Sequence, residues 1–409
     1  MNILVIGNGF DLAHGLPTRY GDFLDFCERA RKIYTFREDT SLSDYKSKNI
    51  DNWKMNDYIK TALLDAFDKR DCKKEYNDDG TFNWKVKVPN KYLNELYSYI
   101  DQNAWLEYFL NRKFSLGENW IDFESEISEV IQVLDEAINT IKCGRELKEM
   151  PREKHKILIS IHKLSNGSMQ KVFKDDTTLN DFAVFLDAEL GRLIRALEIY
   201  IVEFVRGVPV VKKNTDIEKL NPDCVLSFNY SDTYERIYGE RGGFECDYIH
   251  GKADINKNVK SSNLVLGIDE YLDDNRKDKE LELLSFKKFY QRIYKSTGNK
   301  YLNWVDEIKD EYADYINPNI FSTGKGYPGH TLYIFGHSLD ITDQDVLKLF
   351  ICNDNVQTKI FYYRKDEEDK AELGKLIRNL ILIMGQEELI RRTGGAHKTI
   401  EFVPQTLEN

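Results

Sequence analysis

The sequence predicts an α/β protein: a doubly wound, Rossmann-like parallel sheet interrupted by a large helical insertion. Short, nearly unbroken apolar runs bounded by turn residues are typical of strands that are buried in a parallel sheet. One such run lies at the N-terminus and the others follow Asn221, whereas the residues between have helical apolar spacing. A chain of 409 residues also favours two subdomains. We expect an α/β domain of residues 1–20 plus 211–409 and a helical subdomain of residues 21–210.

The strands are predicted from six apolar segments, and the first of these is expected to be central in the sheet. The segments are Ile3–Ile6, Cys224–Phe228, Tyr248–Ile249, Leu264–Leu266, Thr331–Phe335 and Lys359–Tyr363.

The helical subdomain is predicted from apolar residues that recur along one face. One helix carries such a face at Ile121, Ile127, Val130, Ile131, Leu134 and Ile138. A longer helix carries another at Phe182, Phe185, Leu186, Leu190, Leu193, Ile194, Leu197 and Ile201. Gly207 and Pro209 are expected to end the longer helix. A second insertion, Asp273 to about Gly329, is charged and aromatic and is also predicted to be helical.

Composition narrows the functional class. The net charge of −11 argues against broad binding to nucleic acid or an anionic membrane, although a local basic groove stays open. No apolar stretch is long enough to span a bilayer. The cysteines are scattered without a Cys-x-x-Cys pair: Cys27, Cys72, Cys143, Cys224, Cys246 and Cys352. This spacing predicts reduced thiols in a cytoplasmic protein and no structural zinc or other metal site.

The glycine-rich loop Gly7-Asn8-Gly9 directly follows the first predicted strand. Glycines at such a turn let backbone N–H groups approach a pyrophosphate, and the following helix start favours an anion. A full dinucleotide fingerprint would have a third glycine where this chain has Leu12. Tight strand–helix turns also use glycine for purely steric reasons, so both interpretations stay open. Gly15-Leu16-Pro17 would form a second loop that closes a pocket above the first.

Four segments resemble sirtuin motifs in the same order. They are Gly7–Gly9 with Gly15–Pro17, Ser227–Asp232, Ile249–Gly251 and Gly336–Leu339. In this resemblance Asn229 aligns with the sirtuin asparagine and His250 with the catalytic histidine. The match is incomplete, because the zinc ribbon is missing and Phe228 replaces the glutamine before the asparagine. The acyl-lysine segment after Pro17 also differs, so the resemblance implies a nucleotide pocket but not deacylase activity.

A closer resemblance covers most of the chain. The peptides Gly-Asn-Gly-Phe-Asp-Leu-Ala-His-Gly-Leu-Pro-Thr-Arg-Tyr-Gly-Asp-Phe, Phe-Asn-Tyr-Ser-Asp-Thr-Tyr-Glu, Ile-His-Gly and Phe-Gly-His-Ser-Leu-Asp are similar to the AbiH abortive-infection family of bacteria. This resemblance implies a role in defence against bacteriophage.

The nucleotide pocket that the sirtuin resemblance implies suits hydrolysis of NAD, which would be the substrate, at the nicotinamide–ribose bond. His250 would act as the base, Asn229 would hold the water or a ribose hydroxyl, and Asp11 would stabilise the positive charge that grows on the sugar. The residues implied to bind the nucleotide are Gly7, Asn8, Gly9, Phe10, Gly15, Pro17, Gly336 and Ser338.

Simpler roles compete with these. Capping of a helix that starts near Ser231 is the alternative role for Asn229, and the functional role is favoured because His250 follows in the expected order. His14 and His337 each lie beside a glycine loop, where a buried hydrogen-bonding role competes with catalysis. The carboxylates Asp340, Asp343 and Asp345 suggest a metal site, but capping and a solvated helix start are the favoured interpretation.

Three functions therefore stay open: an NAD hydrolase that is active on infection, a nuclease or nucleotidyl-type toxin, and a non-catalytic nucleotide sensor that assembles with a partner. The second would prefer a metal-binding acidic constellation, and the sequence has no convincing one. The third would tolerate loss of His250 or Asn229, but both are present, so the first is favoured. The partners expected are NAD or a related nucleotide, a phage-derived trigger or partner protein, and a second copy of the chain. A membrane is not expected.

Overall fold

The computed structural model describes residues 1–35, 41–43, 55–116, 122–164, 176–273, 275–277, 279, 281–317, 326–396 and 398–407. The chain forms two compact units, each made of separate stretches of sequence. The sheet unit is Met1–Leu16, Pro209–Lys252 and Ser296–Asn409, and the helical unit is Pro17–Val208 and Ala253–Lys295. The segment Ala253–Lys295 thus belongs to the helical unit, although the sequence interpretation assigned it to the α/β domain.

The strands are β1 (Asn2–Ile6), β2 (Asp71–Tyr76), β3 (Phe82–Lys87), β4 (Cys224–Ser227), β5 (Glu245–Tyr248), β6 (His330–Phe335), β7 (Val356–Tyr362) and β8 (Ile400–Pro404). Among the described residues, six of them form one sheet in the order β5-β4-β1-β6-β7-β8, and every neighbouring pair in it is parallel. Counted within the sheet alone, this is the 3-2-1-4-5-6 order of doubly wound, Rossmann-like folds. The predicted fold class and the central place of the first strand are confirmed.

The helices are α1 (Asn8–Ala13), α2 (Tyr20–Thr35), α3 (Asp57–Asp68), α4 (Lys91–Ile100), α5 (Ala104–Leu116), α6 (Phe123–Lys142), α7 (Arg152–Leu164), α8 (Asp176–Ile199), α9 (Thr215–Glu218), α10 (Thr233–Tyr238), α11 (Lys288–Tyr294), α12 (Tyr301–Ile316), α13 (Gln344–Ile351), α14 (Ala371–Met384) and α15 (Gln386–Thr393). Short 3₁₀ turns occur at Leu147–Glu149, Gly239–Arg241, Leu284–Phe286 and Ile341–Asp343. In the described part of the chain, none of the helices combines the length and apolarity needed to cross a membrane.

Strand β1 shows why its sequence is apolar throughout. Alternate side chains of a strand point to opposite faces of the sheet. Ile3 and Val5 lie in a core with residues of α12 to α15, whereas Leu4 and Ile6 lie in a second core with residues of α1, α9 and α10. Since helices cover both faces, each position of the strand must be apolar, and the run has no alternation.

The helical unit contains both helices predicted from spacing. The shorter one is α6, which begins after Asp122, whose carboxylate accepts a hydrogen bond from the Glu124 N–H. Ile121, included in that prediction, lies outside the described residues. The longer one is α8, which continues as a π-helical turn over Tyr200–Val205. The predicted second insertion contains α11 and α12, while residues 318–325 are outside the described part.

The hairpin of β2 and β3 inside the helical unit was not predicted. Its strands pair antiparallel from Asp71 opposite Lys87 to Tyr76 opposite Phe82. Most of its residues are exposed, and β2 reads Asp-Cys-Lys-Lys-Glu-Tyr. A strand without a buried face leaves no apolar alternation in the sequence, so the pattern that predicts strands is absent here.

The predicted strand Leu264–Leu266 is wrong. Its residues are buried, but they lie in irregular structure within the helical unit. The side chain of Gln291 accepts a hydrogen bond from the Leu266 N–H and donates one to the Leu266 carbonyl. The amine of Lys295 donates to the Leu264 carbonyl. Side chains thus satisfy the buried backbone groups that a neighbouring strand would otherwise bond.

Candidate functional site

The candidate site lies at the carboxyl ends of the central strands. From β1 the chain winds outward through β4 and β5 on one side and through β6, β7 and β8 on the other. Sheets of this kind bind ligands in the crevice where the strand order reverses. Ile6 pairs with Ser227 on one side and Phe335 on the other. The loops that follow these strands therefore start side by side.

The loops after β1 and β6 are in backbone contact. The Gly7 N–H donates to the Phe335 carbonyl at 3.3 Å, and the Gly9 N–H donates to the Gly336 carbonyl at 2.8 Å. A Cβ at Gly9 would lie 2.7 Å from the Gly336 Cα, and one at Gly336 would lie 2.2 Å from the Phe10 nitrogen. Gly336 also has a φ of +66°, a left-handed conformation that favours glycine. The steric interpretation of these glycines therefore has direct support, and the Gly7 and Gly9 amides bond to protein carbonyls.

Asn229, in the loop after β4, is tied to the first glycine. Its side-chain amide donates to the Gly7 carbonyl at 2.9 Å, and its own N–H donates to the Ser227 hydroxyl at 3.2 Å. Asn229 is buried. Helix α10 starts later, after Asp232, so the capping role proposed as an alternative for Asn229 is wrong. The asparagine instead joins the loops after β1 and β4.

Asp11 forms a second link between those loops. The Ser231 hydroxyl donates to Asp11 Oδ2 at 2.6 Å, and the Ser231 and Thr233 hydroxyls lie 2.9 Å apart. The carboxyl group is buried, and among the described residues its Oδ1 has no hydrogen-bond partner. Burial raises the pKa of Asp11 to about 6, a rise that the Ser231 and Thr233 hydroxyls and the charge of Arg236 only partly offset. An ionisable carboxyl group with an unused acceptor thus lies beside the glycine loop.

His250 and His337 share one carboxylate. His250 Nε2 lies 3.2 Å from Asp343 Oδ1, and His337 Nε2 lies 3.4 Å from Asp343 Oδ2. All three side chains are buried. The Phe228 ring packs edge-to-face with both imidazoles, and its centroid lies 5.5 Å from that of His250 and 4.3 Å from that of His337. The loops after β4, β5 and β6 therefore meet in one cluster.

The backbone around His337 is constrained. The Leu339 N–H donates to His337 Nδ1 at 2.9 Å, and Leu339 has a φ of +56°. Left-handed backbone at a residue other than glycine costs ~1–2 kcal/mol and persists where the surroundings enforce it. Leu339 is itself fully buried. Packing and the histidine bond together hold this loop in place.

The remaining predicted residues have varied surroundings. Phe10 is fully buried in the core below the sheet's carboxyl edge, whereas the Asn8 and Ser338 side chains are exposed. Gly15 is an exposed turn residue with a φ of +73°. Pro17 belongs to the helical unit, where its carbonyl accepts a hydrogen bond from the Tyr200 hydroxyl.

His14 has the structural role that was left open. Its Nδ1 lies 2.7 Å from the Phe10 carbonyl, which can only accept, so Nδ1 carries the proton. Its Nε2 then accepts from the Tyr238 hydroxyl at 2.8 Å, and that hydroxyl accepts from the Asn214 N–H at 2.9 Å. Each of these three hydrogen bonds thus has a defined donor and acceptor, and His14 links α1 to α10.

Asp343 is the site residue that sequence reasoning missed. Asp340 does cap the following turn, since its carboxylate accepts from the Thr342 N–H at 3.0 Å. Asp343 was expected on a solvated helix start, and that expectation is wrong because the residue is buried against two histidines. The only signal was its place shortly after the Gly336–Leu339 motif. In the described part of the chain, no group of three or more His, Cys, Asp or Glu residues is arranged to hold a metal ion.

Comparison with known proteins adds one match. The family model described as "Bacteriophage abortive infection AbiH" matches residues 3–363. No curated protein and no solved structure matches the chain. The likeness to sirtuins therefore stays a prediction from sequence motifs.

Proposed function

The chain belongs to the AbiH family of bacteriophage abortive infection proteins, and from that premise we propose that it hydrolyses NAD at the nicotinamide–ribose bond. The family gives it a role in abortive infection. In this proposal the protein cleaves the cell's NAD in the cytoplasm, and a phage-derived trigger or partner activates it. An enzyme that destroys NAD must be silent before infection, so a trigger is part of the proposal.

One observation carries the proposal. The sheet has the strand order of dinucleotide-binding folds, and at its switch point the segments that carry Asp11, Asn229 and His250 contact one another. The first three loops follow β1, β4 and β5, and the fourth, at Gly336, packs directly on the first. These segments start at the strand ends where such folds bind a nucleotide, and they carry an amide, a histidine and a buried carboxyl group, which supports the proposal.

These groups suit the reaction. The bond between ribose C1′ and the nicotinamide nitrogen breaks, and its electron pair neutralises the pyridinium, so the leaving group needs no acid. Water adds to C1′, and His250 takes the proton of that water. Ionised Asp11 stabilises the positive charge that develops on the ribose. The products are nicotinamide, ADP-ribose and one proton.

A sensor without catalysis is the second candidate, and one observation favours it. The Gly7 and Gly9 N–H groups and the Asn229 amide all bond to protein carbonyls. These bonds hold the loops rigid, as in a site that binds a nucleotide without reacting with it. The bound nucleotide would then cause assembly with a partner or with a second copy of the chain. The two candidates differ in whether His250 must accept a proton from water.

The deciding experiment follows NAD in phage-challenged cells that express either the natural chain or His250→Gln. Glutamine keeps an N–H donor that can reach Asp343, but it cannot take a proton from water. NAD should fall in cells with the natural chain and persist with the variant. Loss of a positioned general base typically costs ~10²–10⁴-fold in rate.

His155→Ala, at a histidine on α7 in the helical unit, is the matched control and should behave as the natural chain. Phage protection that survives in a His250→Gln, Asn229→Ala double variant would overturn catalysis and leave the sensor. Protection by the natural chain with steady NAD would show that NAD is not the substrate.

A further inference from the structure

Asp343 joins two histidines that the strand order places on different loops. Its two oxygens face His250 Nε2 at 3.2 Å and His337 Nε2 at 3.4 Å. His250 follows β5 and His337 follows β6, and in the sheet these strands are separated by β4 and β1. The carboxylate therefore bridges both sides of the switch point.

A backbone group fixes which nitrogen of His337 carries the proton. The Leu339 N–H donates to His337 Nδ1 at 2.9 Å, so this nitrogen must carry a lone pair and not a proton. In the neutral ring the proton then lies on Nε2, which faces Asp343 Oδ2. The His337 ring is thus set in one tautomer by a backbone group, independently of Asp343.

His250 contacts the other oxygen of the same carboxylate, and this contact determines its tautomer. An ionised carboxylate only accepts hydrogen bonds, so the His250 nitrogen that faces it carries a proton. That nitrogen is Nε2, and the lone pair of the neutral ring is on Nδ1. Because the three side chains are buried, water does not compete strongly for these bonds.

We propose that Asp343 is a positioning residue that fixes His250 as the Nε2–H tautomer, with Nδ1 as the atom that takes the proton. The proposal deepens the proposed NAD hydrolysis and rests on it for the identity of the reaction. His337 holds the far side of the carboxylate, so the chain of groups runs from the Leu339 backbone to the base. Asp343 acts through His250 and does not touch the substrate.

Asp343→Asn gives a prediction that a purely structural role would not. His337 keeps its Nε2–H, because the Leu339 bond still occupies Nδ1, and it donates to the oxygen of the introduced amide. The amide nitrogen then faces His250 Nε2 and donates to it. His250 must switch to the Nδ1–H tautomer, while His337 must not.

The measurement is NMR of full-length protein that carries ¹⁵N-labelled histidine, with no NAD present. The ¹⁵N shifts of the ring nitrogens report which one is protonated, and His250→Gln and His337→Gln variants assign the signals. The natural chain should show Nε2–H at both rings, and Asp343→Asn should change His250 alone. Asp340→Asn is the matched control, since it removes a nearby carboxylate that caps Thr342, and it should leave both rings unchanged.

An unchanged His250 in Asp343→Asn would overturn the inference. If that variant does not fold, the natural chain still tests the inference, because a neutral His250 with its proton on Nδ1 in the natural chain would also overturn it. In cells, Asp343→Asn should lower the rate of NAD loss by up to ~10⁴-fold, as when an amide replaces the carboxylate that orients a catalytic histidine. If the NMR spectra show the expected tautomers but NAD stays steady during infection, the hydrolase proposal is wrong, whereas the positioning of His250 by Asp343 still holds.

Discussion

Replacing Asp11 by asparagine should change how the stability of the protein depends on pH. Burial raises the pKa of the Asp11 carboxyl to about 6 from its ordinary value of 3.8. Between these values the folded protein holds a proton that the unfolded chain has lost. The free energy of unfolding must therefore decrease as pH rises through this range. The stabilising contribution is complete below pH 3.8 and is lost above about pH 6.

The size of this change in the free energy of unfolding follows from the same two pKa values. A rise in pKa from 3.8 to about 6 corresponds to ~3 kcal/mol between the two protonation states. Asparagine keeps an oxygen for the Ser231 hydroxyl and has no charge to lose. Its NH₂ would replace the unpartnered Oδ1, at a cost that does not vary with pH. The unfolded carboxyl is already partly ionised at pH 4, so the difference in stability between the two proteins should move by ~2 kcal/mol in favour of the variant from pH 4 to pH 7.

Urea unfolding of both proteins at several pH values between 4 and 8 measures this difference. Ser231→Ala is a second test. The Ser231 hydroxyl lowers the Asp11 pKa, so its removal should shift the loss of stability to a higher pH. If the natural chain and Asp11→Asn show parallel curves, Asp11 does not titrate near pH 6 in the folded protein. Asp11 would then not change from its neutral to its ionised form near pH 6, as its raised pKa predicts.

Two further predictions concern the fold. Gly336→Ala should lower the melting temperature far more than Gly15→Ala. Both glycines have a positive φ. At Gly336 the new Cβ would lie 2.2 Å from the Phe10 nitrogen, whereas, among the described residues, no atom lies near the new Cβ at Gly15. The Gly15 change should cost only the ~1–2 kcal/mol of left-handed backbone, and equal costs would refute the close packing of the loops. Gln291→Ala should destabilise the protein by ~1–3 kcal/mol in urea unfolding, because it leaves the buried N–H and carbonyl of Leu266 without a partner. A change below ~0.5 kcal/mol, usual for surface sites, would contradict that account.

The sheet could be predicted to the extent that its strands are buried on both faces. The run Ile3–Ile6 is apolar because two cores contact it, and that cause is visible in sequence. Leu264–Leu266 has the same apolar run for another reason, since its backbone is bonded by Gln291 and Lys295. Edge strand β8, Ile400–Pro404, was missed because its residues range from buried to exposed and form no apolar run.

The candidate site could be predicted only where residues directly follow strands. Asn229 and His250 come immediately after β4 and β5, so strand order alone brings their loops together. Asp343 lies in a 3₁₀ turn whose sequence, Asp-Ile-Thr-Asp-Gln-Asp, is typical of a solvated helix start. Its burial depends on the fold of the loop around Leu339, whose left-handed backbone has no sequence signal.

The glycines that first suggested nucleotide binding are the least useful residues for testing it. A bulky residue at Gly9 is the obvious variant for blocking a nucleotide, but its Cβ would already collide with the Gly336 backbone at 2.7 Å. Loss of activity in such a variant would follow from disruption of the loops, whether or not a nucleotide binds. His250 and Asp343 contact each other through side chains, so replacement by glutamine or asparagine alters proton positions while the backbone contacts stay. The catalytic proposal therefore depends on those side-chain variants, and a failed glycine variant counts for neither candidate function.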